Sequence, residues 1–131
     1  MGQTLRAPRI ALVVEDDSDV RDLAVALLEE TDLRVQQASS AEEALHYLRD
    51  HADEVGLLFA DVNLPCLMSG VDLARTVRLK WPWVRTILTS GTPLADSASV
   101  PRDVRFMPKP WRALDVLVEA ERVSRRPEAR H

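Results

Sequence analysis

At 131 residues and 46% apolar, the chain is long enough for one domain with a real core, and its net charge of −4 argues against a general nucleic-acid footprint. The single cysteine, Cys66, excludes a disulfide framework within the chain and fits a reducing compartment. No apolar run approaches a membrane span, the first six residues lack a signal-peptide core, and Arg6 breaks the glycine-lipidation pattern, so a cytoplasmic protein without membrane attachment is expected.

In chain order, residues 9–14 read as the first strand and run into the acidic loop Glu15-Asp16-Asp17. Val20, Leu23, Ala24, Leu27 and Leu28 follow at helical spacing. Residues 33–38 form a shorter, more polar strand of the kind found at a sheet edge. Ser40 with Glu43 predicts a capping box for a helix carrying Ala41, Ala44, Leu45 and Leu48. Residues 55–60 are apolar without interruption, the pattern of a strand buried on both faces, and they end abruptly at Asp61. Ser69 with Asp72 predicts another cap, before a helix through Leu73, Ala74 and Val77 that stops near Trp81-Pro82. Trp81 and Trp83 then cover the turn into a fourth strand at 84–89. A fifth strand is expected at 104–107 and a last helix from about Trp111 through Leu114, Leu117 and Val118. From Arg122 onward the chain reads as a basic, solvated tail, and His46 and His51 read as surface residues.

Strands alternating with amphipathic helices make five βα units, hence an α/β fold with a doubly wound parallel sheet. The most apolar strands, the first and third, belong in the centre, which favours the order 2-1-3-4-5. Its switch point lies between them, so Asp16 and Asp61 face one crevice. Taken alone, Asp61 is an ordinary turn residue. Three other strand ends change that reading, because they carry Glu15-Asp16-Asp17, Thr89-Ser90-Gly91 and Pro108-Lys109-Pro110. Carboxylates gathered as Glu15, Asp16 and Asp61 would be are unfavourable without a counter-ion, and Mg²⁺ takes carboxylate, water and phosphate oxygens. Asp61 is then the candidate nucleophile for a phosphoryl group, with Lys109 neutralising charge and the Thr89 hydroxyl donating to a transferring oxygen. Of 17 basic residues only Lys80 and Lys109 are lysine, so a lysine between two prolines marks a place for a compact point charge.

With these motifs in hand, the chain resembles the response-regulator receiver domains of two-component signalling over about residues 9–122. That family has the flavodoxin-like order and is itself an illustration of the crevice rule. The resemblance implies a single receiver domain, 1–131, with a short N-terminal and a basic C-terminal tail. It implies that Asp61 is the phospho-acceptor, that Glu15, Asp16 and Asp61 hold Mg²⁺, and that Asn63 adds its backbone carbonyl to the metal. Leu64-Pro65 and Gly70 match the loop that follows, Thr89 and Phe106 the switch pair, and Lys109 the family's lysine, joined to Pro110 by a bond that is usually cis. Further implications are a histidine kinase or phosphotransfer protein as donor, an unidentified downstream protein, output by protein–protein interaction or phosphoryl relay, and catalysis confined to its own phosphorylation and dephosphorylation.

Three departures from the family pattern stand out. The loop from Asp61 to Gly70 is one residue longer than its common spacing, with Cys66-Leu67-Met68 in the middle, and Phe106 lacks a hydroxyl. In the stretch 92–103, Pro93, Pro101 and Asp96-Ser97-Ala98-Ser99 oppose a regular amphipathic helix, so the family's fourth helix is expected to be short or irregular and to be ordered by phosphorylation. Because the chain ends soon after the last helix, no attached DNA-binding or enzymatic effector is expected. Rival functions fit less well. A phosphatase with an aspartyl-phosphate intermediate wants a second acid where Asn63 stands, and a flavin-binding domain of the same fold wants a phosphate loop where Glu15-Asp16-Asp17 would repel it. The alternative is a receiver-like binding module that is not phosphorylated, although no acceptor, metal or lysine position has been lost.

Overall fold

Uninterrupted apolar runs put two strands at the centre of the sheet. In the computed structural model, which describes residues 9–91 and 100–124, β1 (Ile10–Val14) and β3 (Val55–Asp61) are buried at every position. With β2 (Arg34–Ala38), β4 (Arg85–Ser90) and β5 (Arg105–Pro108) they form a five-stranded parallel sheet in the order β2-β1-β3-β4-β5, as expected. β2 is an edge strand with Arg34, Gln36 and Gln37 exposed.

Alternation along the central strands feeds two separate cores. Leu12, Val14, Leu58 and Ala60 point to one face, where α2 (Ala41–His51) and α3 (Gly70–Lys80) contribute Ala44, Leu48, Leu73 and Val77. Ala11, Val13, Leu57 and Phe59 point to the other, against Ala24 and Leu28 of α1 (Ser18–Leu28) and Val116 and Ala120 of α4 (Ala113–Ser124). Each fully buried leucine contributes about 1.5–3 kcal/mol relative to exposure.

Side-chain caps set where the helices begin. Asp17 accepts from the N–H groups of Asp19 (3.0 Å) and Val20 (3.2 Å), and Ser69 and Asp72 form a complete capping box at 3.1 Å each way. The Ser69 N–H also holds the Asp72 carboxyl below its ordinary pKa. At α2 only half of the expected box is made: Ser40 accepts from the Glu43 N–H, but the Glu43 carboxylate reaches past it to the N–H and hydroxyl of Ser39, at 2.8 and 3.0 Å. Trp81 ends α3 ahead of Pro82, which disfavours helical backbone before it, and the Trp83 indole N–H donates to Ala52 O at 2.9 Å. A turn of 3₁₀ helix, Ala52–Glu54, precedes β3 and has no counterpart in the sequence reading.

The last helix differs most from its sequence reading. It begins at Ala113, runs through Ser124, and buries Val116, Glu119, Ala120 and Val123. Leu114 and Val118, among the apolar residues that marked this helix in the sequence, are 69% and 40% exposed. The cause is Glu119, which is drawn inward to the guanidinium groups of Arg85 (2.7 Å), Arg105 (3.4 Å) and Arg122 (3.5 Å) and turns the leucines outward. Arg122 and Val123 therefore belong to the helix and not to a tail; residues 125–131 lie outside the described residues. Leu23 of α1 is likewise 54% exposed. Of the stretch read as a short or irregular helix, residues 92–99 lie outside the described residues, and 100–103 form a bend and turn closed by the Val104 N–H on Pro101 O at 3.1 Å.

This assignment of faces is testable by urea denaturation. Leu28→Ala removes a fully buried side chain and is expected to cost about 2–5 kcal/mol, whereas Leu114→Ala should stay within about 0.5 kcal/mol of the parent. A large loss on the Leu114 substitution would mean that α4 packs by its leucine face.

Candidate functional site

The carboxyl ends of four strands meet at one edge of the sheet. Asp61 closes β3 and pairs in register with Thr89 of β4, which pairs in turn with Met107 of β5. Backbone bonds carry this pairing past the strand ends: Glu15 N–H to Ala38 O at 3.0 Å, Val62 N–H to Thr89 O at 2.8 Å and Lys109 N–H to Ser90 O at 2.8 Å. The residues singled out in the sequence are thus delivered by sheet geometry and not by loop folding.

The side chains of Glu15 and Asp61 converge on a single ammonium group. Lys109 Nζ donates to Asp61 Oδ2 at 2.8 Å and to Glu15 Oε1 at 3.0 Å. An oxygen from each of Glu15, Asp16 and Asp61 lies within 4.8 Å of the others. Glu15 and Asp61 are buried, at 5% and 7% exposure, while Asp16 is exposed and opens the cluster to solvent. Two further carboxylate oxygens are engaged locally: Glu15 Oε2 accepts from the Asp17 N–H at 3.1 Å, and Asp61 Oδ1 from the Asn63 N–H at 3.0 Å.

Burial is the main reason the Glu15 carboxyl titrates above its ordinary range, with the charge on Asp61 adding to it and the hydrogen bonds from Lys109 and Asp17 opposing it. For Lys109 burial is again the largest single influence and would lower its pKa. The hydrogen bonds and charges of Asp61 and Glu15 together outweigh it and hold the ammonium above its ordinary 10.5. Lys109 therefore stays charged at neutral pH. Three carboxylates against one ammonium leave these four groups with a deficit of two positive charges. A hard divalent cation with oxygen ligands matches that deficit in charge and in donor type. Mg²⁺ fits Glu15, Asp16 and Asp61 on these grounds.

Thr89 is buried at 1% exposure beside Asp61, and Phe106 is half-buried on β5, paired with Leu88 and packed on the α2/α3 side of the sheet. Asn63 is exposed in the loop after Asp61, with its N–H turned back to that carboxylate. The Lys109–Pro110 peptide is cis. Of the acidic triplet, Asp17 serves as the cap of α1 while Glu15 and Asp16 face the cluster.

Two contacts near the site carry no obvious sequence signal. Glu42 Oε2 accepts from the N–H groups of Leu67 (3.1 Å) and Met68 (3.0 Å), pinning the loop after Asp61 to α2. In the sequence it looks like any acid in a first helical turn. Arg21 on α1 donates to Glu15 O at 2.7 Å and to Gln37 Oε1 at 3.2 Å, bracing the acidic loop. In the loop after Asp61, Cys66 is exposed and adopts a φ of 72°, a left-handed conformation uncommon outside glycine. Gly70 returns the loop so closely that a Cβ there would lie 2.0 Å from Asp61 O.

Comparison with known proteins gives one consistent picture. The family model of the response regulator receiver domain matches residues 11–120. The response regulator receiver protein CpdR of Brucella abortus (strain 2308) is 28% identical over 115 residues, 86% of this chain and 93% of that protein. The sensor kinase CckA of the same organism is 34% identical over 103 residues, 76% of this chain, and the chain spans only 11% of that protein's length. Among solved structures, the receiver domain of NtrX from Brucella abortus has a TM-score of 0.75 at 26% identity, covering 86% of this chain and 96% of that one. The signal receiver domain of an HD domain-containing protein from Pseudomonas fluorescens Pf-5 shares the fold with a TM-score of 0.80 at 23% identity, covering 89% and 94%. Among the described residues, no helix is long and apolar enough to cross a membrane.

The close approach at Gly70 yields a sharp expectation. Gly70→Ala forces backbone to move at Asp61 and should cost about 1–3 kcal/mol in thermal or urea unfolding, whereas Gly91→Ala, with nothing among the described residues within 4 Å of the added carbon, should be nearly neutral. Equal effects from the two substitutions would count against this packing.

Proposed function

This chain belongs to the response regulator receiver domain family, matched over residues 11–120, and on that premise we propose that Asp61 accepts a phosphoryl group from a histidine kinase or phosphotransfer protein in a Mg²⁺-dependent step. Receiver domains are signalling modules and not classical enzymes; here catalysis is confined to the chain's own phosphorylation and dephosphorylation. The observation that carries this reading is the Lys109 ammonium held between Asp61 and Glu15, with Asp16 beside them and two positive charges still wanting.

In the proposed step a carboxylate oxygen of Asp61 forms a bond to phosphorus as the donor's phosphorus–nitrogen bond breaks, and the electron pair of that bond returns to the imidazole. Glu15, Asp16 and Asp61, with the backbone carbonyl of Asn63, would hold Mg²⁺, whose chemistry is to neutralise charge on the transferring oxygens. Lys109 supplies a fixed positive charge 2.8 Å from the Asp61 carboxylate, already oriented by its second bond to Glu15. Thr89, level with Asp61 on the next strand, would donate its hydroxyl to a phosphoryl oxygen. Phe106 lies opposite Leu88, one residue before Thr89, so a shift at Thr89 would be felt as a change of ring packing. Output then passes from this cytoplasmic protein to a downstream protein by direct contact or phosphoryl relay, without nucleic acid or membrane.

Incubation with a small phosphodonor and Mg²⁺, read by intact mass, should add one phosphoryl group to the parent and none to Asp61→Asn. Asp16→Asn should weaken Mg²⁺ binding by about tenfold or more in calorimetric titration. Lys109→Met should slow phosphorylation by about a hundredfold while tightening Mg²⁺ binding, because the carboxylates lose their competing cation. Undiminished labelling of the Asp61 variant would refute the assignment.

A further inference from the structure

At the pole of the sheet opposite Asp61, arginines stand at the starts of β4 and β5. There a cavity of about 270 Å³ is lined by Arg78, Arg85 and Arg122, by Asp103, and by Pro82 and Trp83. Arg85 opens β4, Arg78 and Arg122 lie in the last turns of α3 and α4, and Arg105 opens β5 alongside. Basic residues in a last helical turn ordinarily complement the helix dipole. Here they do more, because they surround a carboxylate that is itself buried. Glu119 is 2% exposed and faces three guanidinium groups, at 2.7, 3.4 and 3.5 Å. One carboxylate has two oxygens, while three guanidiniums carry many more N–H donors than those oxygens can take.

Charge points the same way. The lining Arg78, Arg85 and Arg122 stand against Asp103, which pairs with Arg78, and Glu119, leaving a surplus of one positive charge, with Arg105 a further cation on Glu119 beside them. Guanidinium forks match phosphate oxygens in geometry as well as charge. Trp83 forms a fixed wall, since its indole N–H is committed to Ala52 O at 2.9 Å. The volume lies at the small end of ligand pockets, which run to about 300–1,000 Å³, and so suits a molecule no larger than a mononucleotide. We infer that this cavity binds a small phosphate-bearing ligand, its phosphate held by Arg78, Arg85 and Arg122 and its organic part against Trp83, with Glu119 acting as the positioning residue that sets the arginines.

The test is calorimetric titration of the full chain with AMP, and separately with inorganic phosphate, at low ionic strength without Mg²⁺. Saturable one-site binding of AMP is expected, tighter than that of phosphate. Arg78→Gln and Arg122→Gln should each weaken it by about tenfold or more; both side chains are substantially exposed, and thermal melts verify that the variants fold. Asp61→Asn should leave the affinity unchanged, which separates this cavity from the site proposed for phosphoryl transfer. Absence of saturable binding by the parent, or binding lost in Asp61→Asn and retained in both arginine variants, would overturn the inference. Equal affinity for AMP and phosphate would overturn the role given to Trp83.

Discussion

Two buried carboxylates, Glu15 and Asp61, can share the end of a parallel sheet only because the Lys109 ammonium stands between them. Without it, desolvation and mutual repulsion would drive one of them to take up a proton. The contact also has a mechanical side. Lys109 follows β5 at the sheet edge, while Glu15 and Asp61 belong to the central strands, so one side chain ties the edge of the sheet to its middle. Much of the surrounding backbone serves that meeting: the Ser90–Lys109 and Thr89–Val62 bonds hold the strand ends level, and Arg21 braces the loop that carries Glu15.

The opposite wall of the crevice is built differently. Here the chain leaves Asp61, loops out through Cys66, and comes back to touch its own starting point at Gly70. Two devices make that possible, the left-handed backbone at Cys66 and the Glu42 carboxylate that gathers the next two N–H groups. A rigid sheet end on one side and a loop pinned at two points on the other leave the exposed Asp16 as the cluster's open flank.

What could be read from the sequence follows from which forces are local. The continuous apolar runs of β1 and β3 have one good explanation, a doubly covered central strand, and the sheet order followed from them. The caps at Ser40 and Ser69 are short-range hydrogen bonds and were largely legible, though Glu43 chose Ser39 over Ser40. Glu15, Asp61, Thr89 and Lys109 could be placed at one edge because parallel strands put their ends there. Glu42 could not, since its partners lie 25 and 26 residues away and it resembles an ordinary first-turn acid. The buried face of α4 was not legible for the same reason: its leucines mark a helix, and the residue that fixes which side faces the sheet is a glutamate whose partners on β4 and β5 lie far back in the chain.

That glutamate decides something apolar packing alone would leave open. α4 has two stripes that could face the sheet, one of Val116, Ala120 and Val123 and one of Leu114, Leu117 and Val118. By side-chain size the second is the greasier, so a purely hydrophobic contact would let the helix roll about its axis between nearly equivalent seats. A carboxylate with partners at only one azimuth removes that freedom: rolling the helix would leave Arg85 without its 2.7 Å contact. Glu119 thus works as a rotational key, and Leu114 and Val118 on the outside of α4 are what remains exposed when a charge selects the seat.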